Sequence, residues 1–576
     1  MAGMNWTLVA SVAAAFGFLS GCYSGLDAEG SGLSGAGDGA DGADDDDGDG
    51  DGADDGGDDG VEGQCGEPQT GPTRLRRLTN DQYRRTVRDL LGMTSTQVDA
   101  FAPDERVGAF KSNAVAPVGD LQVEQYMDAA EDLAIQAVSN VAGLLPCDPT
   151  TGEDACADEF VRTMGRRAYR RPLDEAEVTA MLAVYQEGKS QENFDNGIRL
   201  ALQGMLQSPF FLYHVEFGVE TNGNDGSDGT VVQLTGHELA SRLSYFLWDS
   251  MPDDTLFAAA DAGALETTEG LEAEVERMLA DGKANEAIAD FHHQWLGVDE
   301  IERLEKNPAA YPNFSEQLAQ AMKEETGAFV NWVIHDRDAR LETLLTSNMA
   351  VTEDASLLAV YGITPPPGHV PGDPYALDPT QRAGLLTQAS LLAEHAHADQ
   401  TSPVHRGQLI RENFLCMPLP PPPPDVDNVP PDPQPGATTR ERFAEHTTQP
   451  ECAACHELID GLGFGLEGYD GIGAYRTMEE GQPVDVSGEI VSTQDIDGPF
   501  NGGVELAQRL ATSEQVRACV ATQWFRYALG RMNTLDDACA MDTMNAAFAE
   551  SDYDIRELIK TIVLSDSFRF RTMGGN

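Results

Sequence analysis

Apolar residues recur every three or four positions along most of the chain, the spacing that gives an α-helix one apolar face. Thr79 and Gln82 form a capping box that predicts the start of a helix, which then ends at Gly92. Thr235 and Glu238 repeat the same signal. Further helices are predicted over residues 123–143, 155–167, 174–187, 194–207, 268–280, 284–296, 315–335, 503–511, 513–529 and 553–564. The pattern indicates a mostly α-helical protein.

Strand patterns are sparse, and prolines mark the clearest internal boundary. Residues 483–491 alternate apolar and polar side chains and predict a short β-hairpin. Residues 418–435 hold ten prolines, which favour an extended polyproline-like path and exclude a helix or a central strand. We expect this proline strap to separate a large N-terminal body from a C-terminal unit.

The N-terminus has the pattern of an export signal. Residues 6–19 form an apolar stretch that is too short to span a bilayer. Residues 19–22, Leu-Ser-Gly-Cys, resemble a bacterial lipobox in which Cys22 is lipidated, although residues 1–5 lack the usual Lys or Arg. We expect an exported protein of the cell envelope, held to a membrane by lipid on Cys22. Plain secretion and an uncleaved anchor are the alternatives.

Acidic residues dominate the composition. Residues 23–64 contain fifteen acidic residues and no basic one, in a chain whose formal net charge is −60. Because this segment has few apolar residues to bury and its charges repel, it predicts a disordered tether. The charge also excludes a nucleic-acid-binding role, because phosphate recognition needs a cationic surface.

One short motif points directly to a cofactor. Residues 452–456 read Cys-Ala-Ala-Cys-His, a CxxCH box. The thiols of Cys452 and Cys455 can add to the vinyl groups of a haem, and His456 can then ligate the iron. Two alternatives stay open. The box can form a disulfide or keep free thiols, or it can bind zinc or another metal with His446 as a fourth ligand.

Haem c bound through the box needs a sixth iron ligand or an open position. The candidate residues are Met478, His446, Met532, Met417 and Met541. Met478 follows His456 by 22 residues and His446 precedes Cys452 by six, so these two rank first.

Nine cysteines suit an oxidising compartment. If Cys22 carries lipid and two cysteines belong to the box, six remain to form disulfides. The suggested pairs are Cys147 with Cys156 across a polar turn, Cys519 with Cys539, and Cys65 with Cys416. Connectivity cannot be deduced from the sequence, so other pairings stay open.

Three further clusters of polar residues are interpreted as structural rather than functional. His395, His397 and Asp399 could ligate a metal, but a polar loop after a helix is the favoured interpretation. The adjacent His292 and His293 are interpreted as structural. A basic cluster, expected to pair with internal carboxylates, comprises Arg166, Arg167, Arg170 and Arg171.

No GxSxG, P-loop, dinucleotide or HExxH motif occurs, so hydrolases, kinases and dehydrogenases lack sequence support, and enzymatic activity stays undecided.

Several segments, in order, resemble a bacterial secreted family first described from planctomycetes and common in myxobacteria. The matching segments are 77–83 with 90–92, 167–173 with 207–213, 234–248 with 252–253 and 294–296, 384–388 with 401–407, and 523–531. The resemblance implies five domains of unknown function, of which the fourth is cytochrome-like around its CxxCH box. The family pattern follows the box with Asp-Pro, whereas Asp460 is followed here by Gly461, which predicts a looser turn.

Together these observations predict a multi-helical body with a C-terminal cytochrome-c-like helical unit and a short β-hairpin. The expected segments are a signal peptide (1–22), a tether (23–70), helical domains (71–145, 146–220, 230–365), a CxxCH domain (380–480) and a C-terminal helical domain (481–576). The favoured function is electron transfer with a periplasmic or surface redox partner. The alternative is a cell-surface interaction or carbohydrate-associated module in which the box is a structural clip.

Overall fold

The computed structural model describes residue 65 and residues 68–114, 117–219, 230–420, 430–444 and 450–573, without the side chains of residues 444, 450–452 and 454. The predictions that fall outside the described residues are the export signal, Cys22, most of the acidic tether, His446, and residues 421–429 of the proline strap. The side chain of Cys452 also lies outside them.

The protein is mostly α-helical, as the sequence predicts. In the N-terminal half the helices are α1 (Asn80–Leu91), α2 (Asp120–Val138), α3 (Val141–Leu144), α4 (Glu153–Tyr169), α5 (Glu175–Gln191), α6 (Phe194–Gln207), α7 (Pro209–Leu212), α8 (Gly236–Leu247), α9 (Asp254–Asp261), α10 (Thr268–Leu279) and α11 (Ala284–Trp295). They continue with α12 (Glu316–Asn331), α13 (Leu341–Thr346), α14 (Ala355–Val360), α15 (Ala389–Glu394), α16 (Pro403–Leu409), α17 (Thr439–Ala444), α18 (Pro450–Phe464), α19 (Gly502–Thr512), α20 (Glu514–Leu529), α21 (Ala538–Glu550), α22 (Ile555–Leu564) and α23 (Asp566–Arg569). Single π-helical turns, Trp332–Asp336 and Ile410–Phe414, extend α12 and α16.

Short antiparallel pairs account for all strands in the described residues. The strands are β1 (Arg76–Arg77), β2 (Arg106–Val107), β3 (Phe110–Lys111), β4 (Tyr213–His214), β5 (Val231–Gln233), β6 (Met349–Ala350), β7 (Tyr375–Ala376), β8 (Met478–Glu479), β9 (Gln482–Pro483), β10 (Ser487–Ile490), β11 (Gly498–Asn501) and β12 (Phe570–Thr572). They pair as β1–β4, β2–β3, β5–β12, β6–β7, β8–β9 and β10–β11. The β structure predicted at 483–491 is present, but its strands belong to two successive antiparallel pairs, β8–β9 and β10–β11, rather than to one hairpin within that segment.

The capping signals read from the sequence are confirmed. Thr79 accepts a hydrogen bond from the Gln82 backbone N–H, and the Gln82 side chain accepts one from the Thr79 backbone N–H. Gly92 ends α1 with φ +68°, in the left-handed region that glycine adopts without strain. Thr235 and Glu238 form the same reciprocal pair at the start of α8.

The buried apolar residues form two cores. The N-terminal core consists of residues between Leu78 and Leu212, joined by Tyr245, Met251 and Phe257. The large core begins with Phe110 and otherwise runs from Leu234 to Phe568.

The proline strap does not divide the large core, so the expected boundary there is wrong. Phe414 and Leu415, before the strap, belong to the same core as Leu462 and Leu466 after it. Helix α16 packs along α18, and the disulfide between Cys416 and Cys519 also links the two sides. The strap therefore connects two parts of one core.

Three disulfides join the six cysteines other than Cys22, Cys452 and Cys455. Cys147 pairs with Cys156, as the polar turn suggested. The other two suggested pairings are wrong, because the partners are exchanged: Cys65 pairs with Cys539, and Cys416 with Cys519. Both bridges join distant parts of the chain, which no local pattern encodes. In the described part of the chain, no helix is long and apolar enough to cross a membrane.

Candidate functional site

The CxxCH box occupies the first two turns of α18. Cys455 and His456 are partly buried. Among the cysteines whose side chains are described, Cys455 is the one outside a disulfide. Its thiol is therefore available for covalent attachment or metal ligation.

Asp460 fixes one nitrogen of the histidine. The His456 Nδ1 atom lies 2.9 Å from Asp460 Oδ1, one helical turn further along α18. This hydrogen bond, opposed by partial burial, raises the pKa of the His456 imidazole. With Nδ1 committed to a carboxylate, Nε2 is the ring nitrogen that can coordinate a metal ion.

Asp460 is buried and has unused hydrogen-bonding capacity. The residue is 6% exposed, and Oδ2 has no hydrogen-bond partner within the described residues. We did not foresee this residue as part of the site, although a signal was present. Four positions after a histidine on a helix, a carboxylate lies on the same face.

Glycines hold α18 tightly against its neighbours. A Cβ atom at Gly407 would overlap the Ile459 carbonyl, and one at Gly463 would overlap the carbonyl of Pro403. A Cβ at Gly461 would likewise overlap the Glu489 carbonyl in β10. The expected looser turn at Gly461 is wrong, because this residue lies inside α18, where the missing side chain lets β10 approach.

The Thr401–Arg406 segment anchors the helix pair. The fully buried Arg406 guanidinium donates to the carbonyls of Leu392, Leu466, Tyr469 and Asp470 at 2.8–3.1 Å. Glu467 lies 3.7 Å from Arg406 and accepts hydrogen bonds from Thr401 at 2.6 Å and Arg476 at 2.9 Å. These residues support the site rather than contribute a ligand.

The structure does not bring the methionine candidates together at one place. Met478 lies on β8 with 52% of its surface exposed, and Met532 is 44% exposed beside Gly108 in the β2–β3 turn. Met417 and Met541 are partly buried against the large core. His446 lies outside the described residues.

A zinc site formed by the box stays a prediction, because His446 and the side chain of Cys452 are not described. Elsewhere in the described residues, no group of three or more His, Cys, Asp or Glu side chains could hold a metal ion.

The histidines that were interpreted as structural or as part of a polar loop contact other groups of the protein, as that interpretation predicts. His395 Nε2 lies 2.8 Å from the Leu296 carbonyl, and burial lowers the pKa of His395 to about 4. His397 packs against His405 with ring centroids 5.1 Å apart. His292 Nδ1 and His293 Nε2 lie 2.7 and 2.9 Å from backbone carbonyls.

The basic cluster around Arg170 is only partly paired with carboxylates. Arg166 contacts Asp261 at 2.6 Å. Arg171 contacts Glu177 at 2.7 Å. Arg167 instead donates to the Asp89 carbonyl, and the buried Arg170 donates to a set of carbonyls: Ala168, Phe210, Phe211 and Tyr213.

Five family models, each described as a protein of unknown function, match the chain in order. They are DUF1587 (residues 76–139), DUF1595 (156–216), DUF1592 (234–363), DUF1588 (382–479) and DUF1585 (497–568). The DUF1588 model, which spans the CxxCH box, has the short name PSCyt3. No curated protein and no solved structure matches the chain. The chain therefore contains five consecutive domains of unknown function.

Proposed function

We propose that this protein is a c-type haem protein that transfers electrons. Cys452 and Cys455 would hold the haem, because each thiol can add its S–H across one vinyl C=C to form a thioether with no other reactant. His456 would ligate the iron through Nε2. Bound haem would supply a one-electron couple.

The pairing of His456 with Asp460 carries the proposal. A ligating histidine commonly donates its second ring N–H to a carboxylate, which fixes the tautomer and the ring orientation. The 2.9 Å contact has this arrangement, on the same helix as the unbridged Cys455. The short name of the matched fourth-domain model, PSCyt3, adds independent support for a cytochrome-like unit.

The same proposal includes export and a lipid anchor at Cys22. Three disulfides support an oxidising compartment, because such bridges are rare in reducing ones. Covalent haem attached at the box is compatible with that location. The expected electron partner is therefore a periplasmic or surface redox protein.

Covalent haem is the decisive test. The full chain, exported with a cytochrome c maturation system, should keep haem on a denaturing gel and show a Soret band. Single Cys452→Ser and Cys455→Ser variants should lose the two-thioether linkage. The double variant Cys147→Ser/Cys156→Ser, which removes a disulfide instead, should keep the haem.

Two outcomes would overturn the proposal. Wild-type protein that matures without covalent haem would exclude it, whatever the variants do. Stoichiometric zinc, lost in the Cys455→Ser variant, would instead identify the box as a metal clip.

A further inference from the structure

A small polar cavity lies where four of the five matched domains meet. Its volume is about 30 Å³. The lining residues that carry the argument are Arg76, Gln82, His214, Arg242, Asp290 and Tyr527. They belong to the segments matched by DUF1587, DUF1595, DUF1592 and DUF1585. Only the domain of the CxxCH box contributes nothing to the lining.

Most charged groups at this junction already have partners. Arg242 binds the Glu216 carboxylate through two hydrogen bonds of 2.8 and 2.5 Å. Lys111 lies 3.2 Å from Asp81. Such pairing is expected, because an unpaired charge away from water is costly.

Arg76 is the exception. The guanidinium of this partly buried residue makes no hydrogen bond or ion pair within the described residues. Burial, together with repulsion by Arg242 and Arg531 and despite attraction by Glu216, lowers the pKa of Arg76 to about 10. The cavity therefore has one cationic group that no protein carboxylate contacts.

A second unused donor lines the same space. Gln82 accepts hydrogen bonds at Oε1 from the Thr79 backbone and from His214 Nε2, at 3.2 and 3.1 Å. Its amide nitrogen has no acceptor within the part of the chain that the structure describes. Guanidinium and amide N–H groups are the donors that recognise a carboxylate or another oxyanion.

The cavity lining also includes a carboxylate, that of Asp290. Asp290 accepts hydrogen bonds from Gln294 at 2.6 Å and from Tyr527 at 3.3 Å. Burial raises the pKa of Asp290. An anion is expected to avoid the Asp290 carboxylate and to sit near Arg76.

The geometry points to a binding site for a small oxyanion, of the size and chemistry of formate, between Arg76 and the Gln82 amide. A cavity of about 30 Å³ has room for roughly two water molecules, which suits an anion as small as formate. Because four domains contribute to the lining, the bound anion would stabilise their junction.

Thermal unfolding at constant ionic strength tests this site. Sodium formate replaces sodium methanesulfonate stepwise, so that screening of the acidic chain stays unchanged. The wild type should show a saturable rise in Tm with formate and none with citrate. The Arg76→Gln variant should bind formate at least ~10-fold more weakly, since it loses charge-assisted hydrogen bonds. Arg74→Gln, at an exposed position two residues away, should behave like the wild type.

Gln82→Glu keeps the test valid if Arg76→Gln fails to fold. Glutamate preserves the capping box at Thr79 and both acceptor contacts, but it places a carboxylate near Arg76. This variant should melt higher than the wild type without formate and should not respond to formate. Equal formate-dependent shifts in wild type, Arg76→Gln and Gln82→Glu would overturn the assignment.

Discussion

The N-terminal core and the large core each depend on a buried arginine, but the two arginines contact carbonyls at different separations in sequence. Each is organised around a buried arginine that donates to several backbone carbonyls, Arg170 in the first and Arg406 in the second. The acceptors of Arg170 lie within 43 positions, those of Arg406 14 to 64 positions away. Arg406 also lies near a buried carboxylate, Glu467. The large core thus needs its arginine to join separate segments, whereas the N-terminal core uses its arginine within one helical cluster.

Replacing the two arginines, one at a time, should cause the largest losses of stability and should show whether their roles differ. Arg406→Met should lower the free energy of unfolding by about 3–5 kcal/mol, because it leaves four buried carbonyls without their donor and removes a positive charge 3.7 Å from the buried Glu467. Arg170→Met should cost about 1–3 kcal/mol, because only neutral acceptors lose their donor. Denaturant unfolding of both variants measures the difference. A larger loss for Arg170→Met would contradict the distinction drawn here.

The disulfides give the next largest effect. Replacing Cys416 and Cys519 by serine should cost about 4 kcal/mol, because this bridge spans 103 positions. Replacing Cys147 and Cys156, nine positions apart, should cost about 2 kcal/mol. Chemical unfolding under non-reducing conditions compares the two double variants. Equal losses would show that loop entropy in the unfolded chain does not set their contributions.

The glycine contact beneath the CxxCH helix should have a smaller effect. Gly463→Ala should cost about 1–3 kcal/mol, because the added methyl overlaps the Pro403 carbonyl. Gly204→Ala, inside α6 of the N-terminal core, is the matched control, because its Cβ would meet only Met181 at ordinary contact distance. The control should gain about 0.5–1 kcal/mol. Thermal unfolding of both variants measures these changes. A gain in stability for Gly463→Ala would show that Gly463 is not closely packed against the Pro403 carbonyl.

A buried acid should make the stability of the large core change gradually with pH, by at most ~1.4 kcal/mol per pH unit. Burial raises the pKa of Glu325 from 4.5 to about 8, although Tyr361 hydrogen-bonds to it. Its contribution to stability is therefore fully present below pH ~4.5 and is lost as pH rises towards 8. Glu325→Gln should remove this slope. Between pH 5 and pH 8, the free energy of unfolding should fall more in the wild type than in Glu325→Gln. Equal losses in the two proteins would show that Glu325 does not cause the slope.

Local sequence patterns predicted the helices well because their determinants are local. The capping box at Thr79 and the glycine at Gly92 fix both ends of α1 from neighbouring residues alone. Helix α6 was expected over 194–207 and occupies those positions. The errors in cysteine pairing and in the boundary at the proline strap are long-range. Neither the Cys65–Cys539 bridge nor the continuity of the large core across the proline strap leaves a local signal.

The CxxCH box and the cavity at the domain junction also differ in how far the sequence predicts them. The box itself follows from the motif, and Asp460 could have been found from its spacing to His456 on a helix. The cavity at the domain junction could not, since Arg76 and Asp290 are brought to it by packing of separate domains. Nothing in the sequence near Arg76 indicates that its charge would lack a partner.

The bridge between Cys65 and Cys539 has a mechanical consequence. It joins positions 474 apart, and Asp537 beside it also accepts a hydrogen bond from the Gly71 backbone at 3.1 Å. If the preceding segment is held at a membrane, as proposed, tension on residue 65 passes through the bridge to the start of α21. The helices between the two cysteines are then not pulled apart in series. Reducing this one bond would redirect the force to β1 and α1, so the folded body would begin to unravel from its N-terminus.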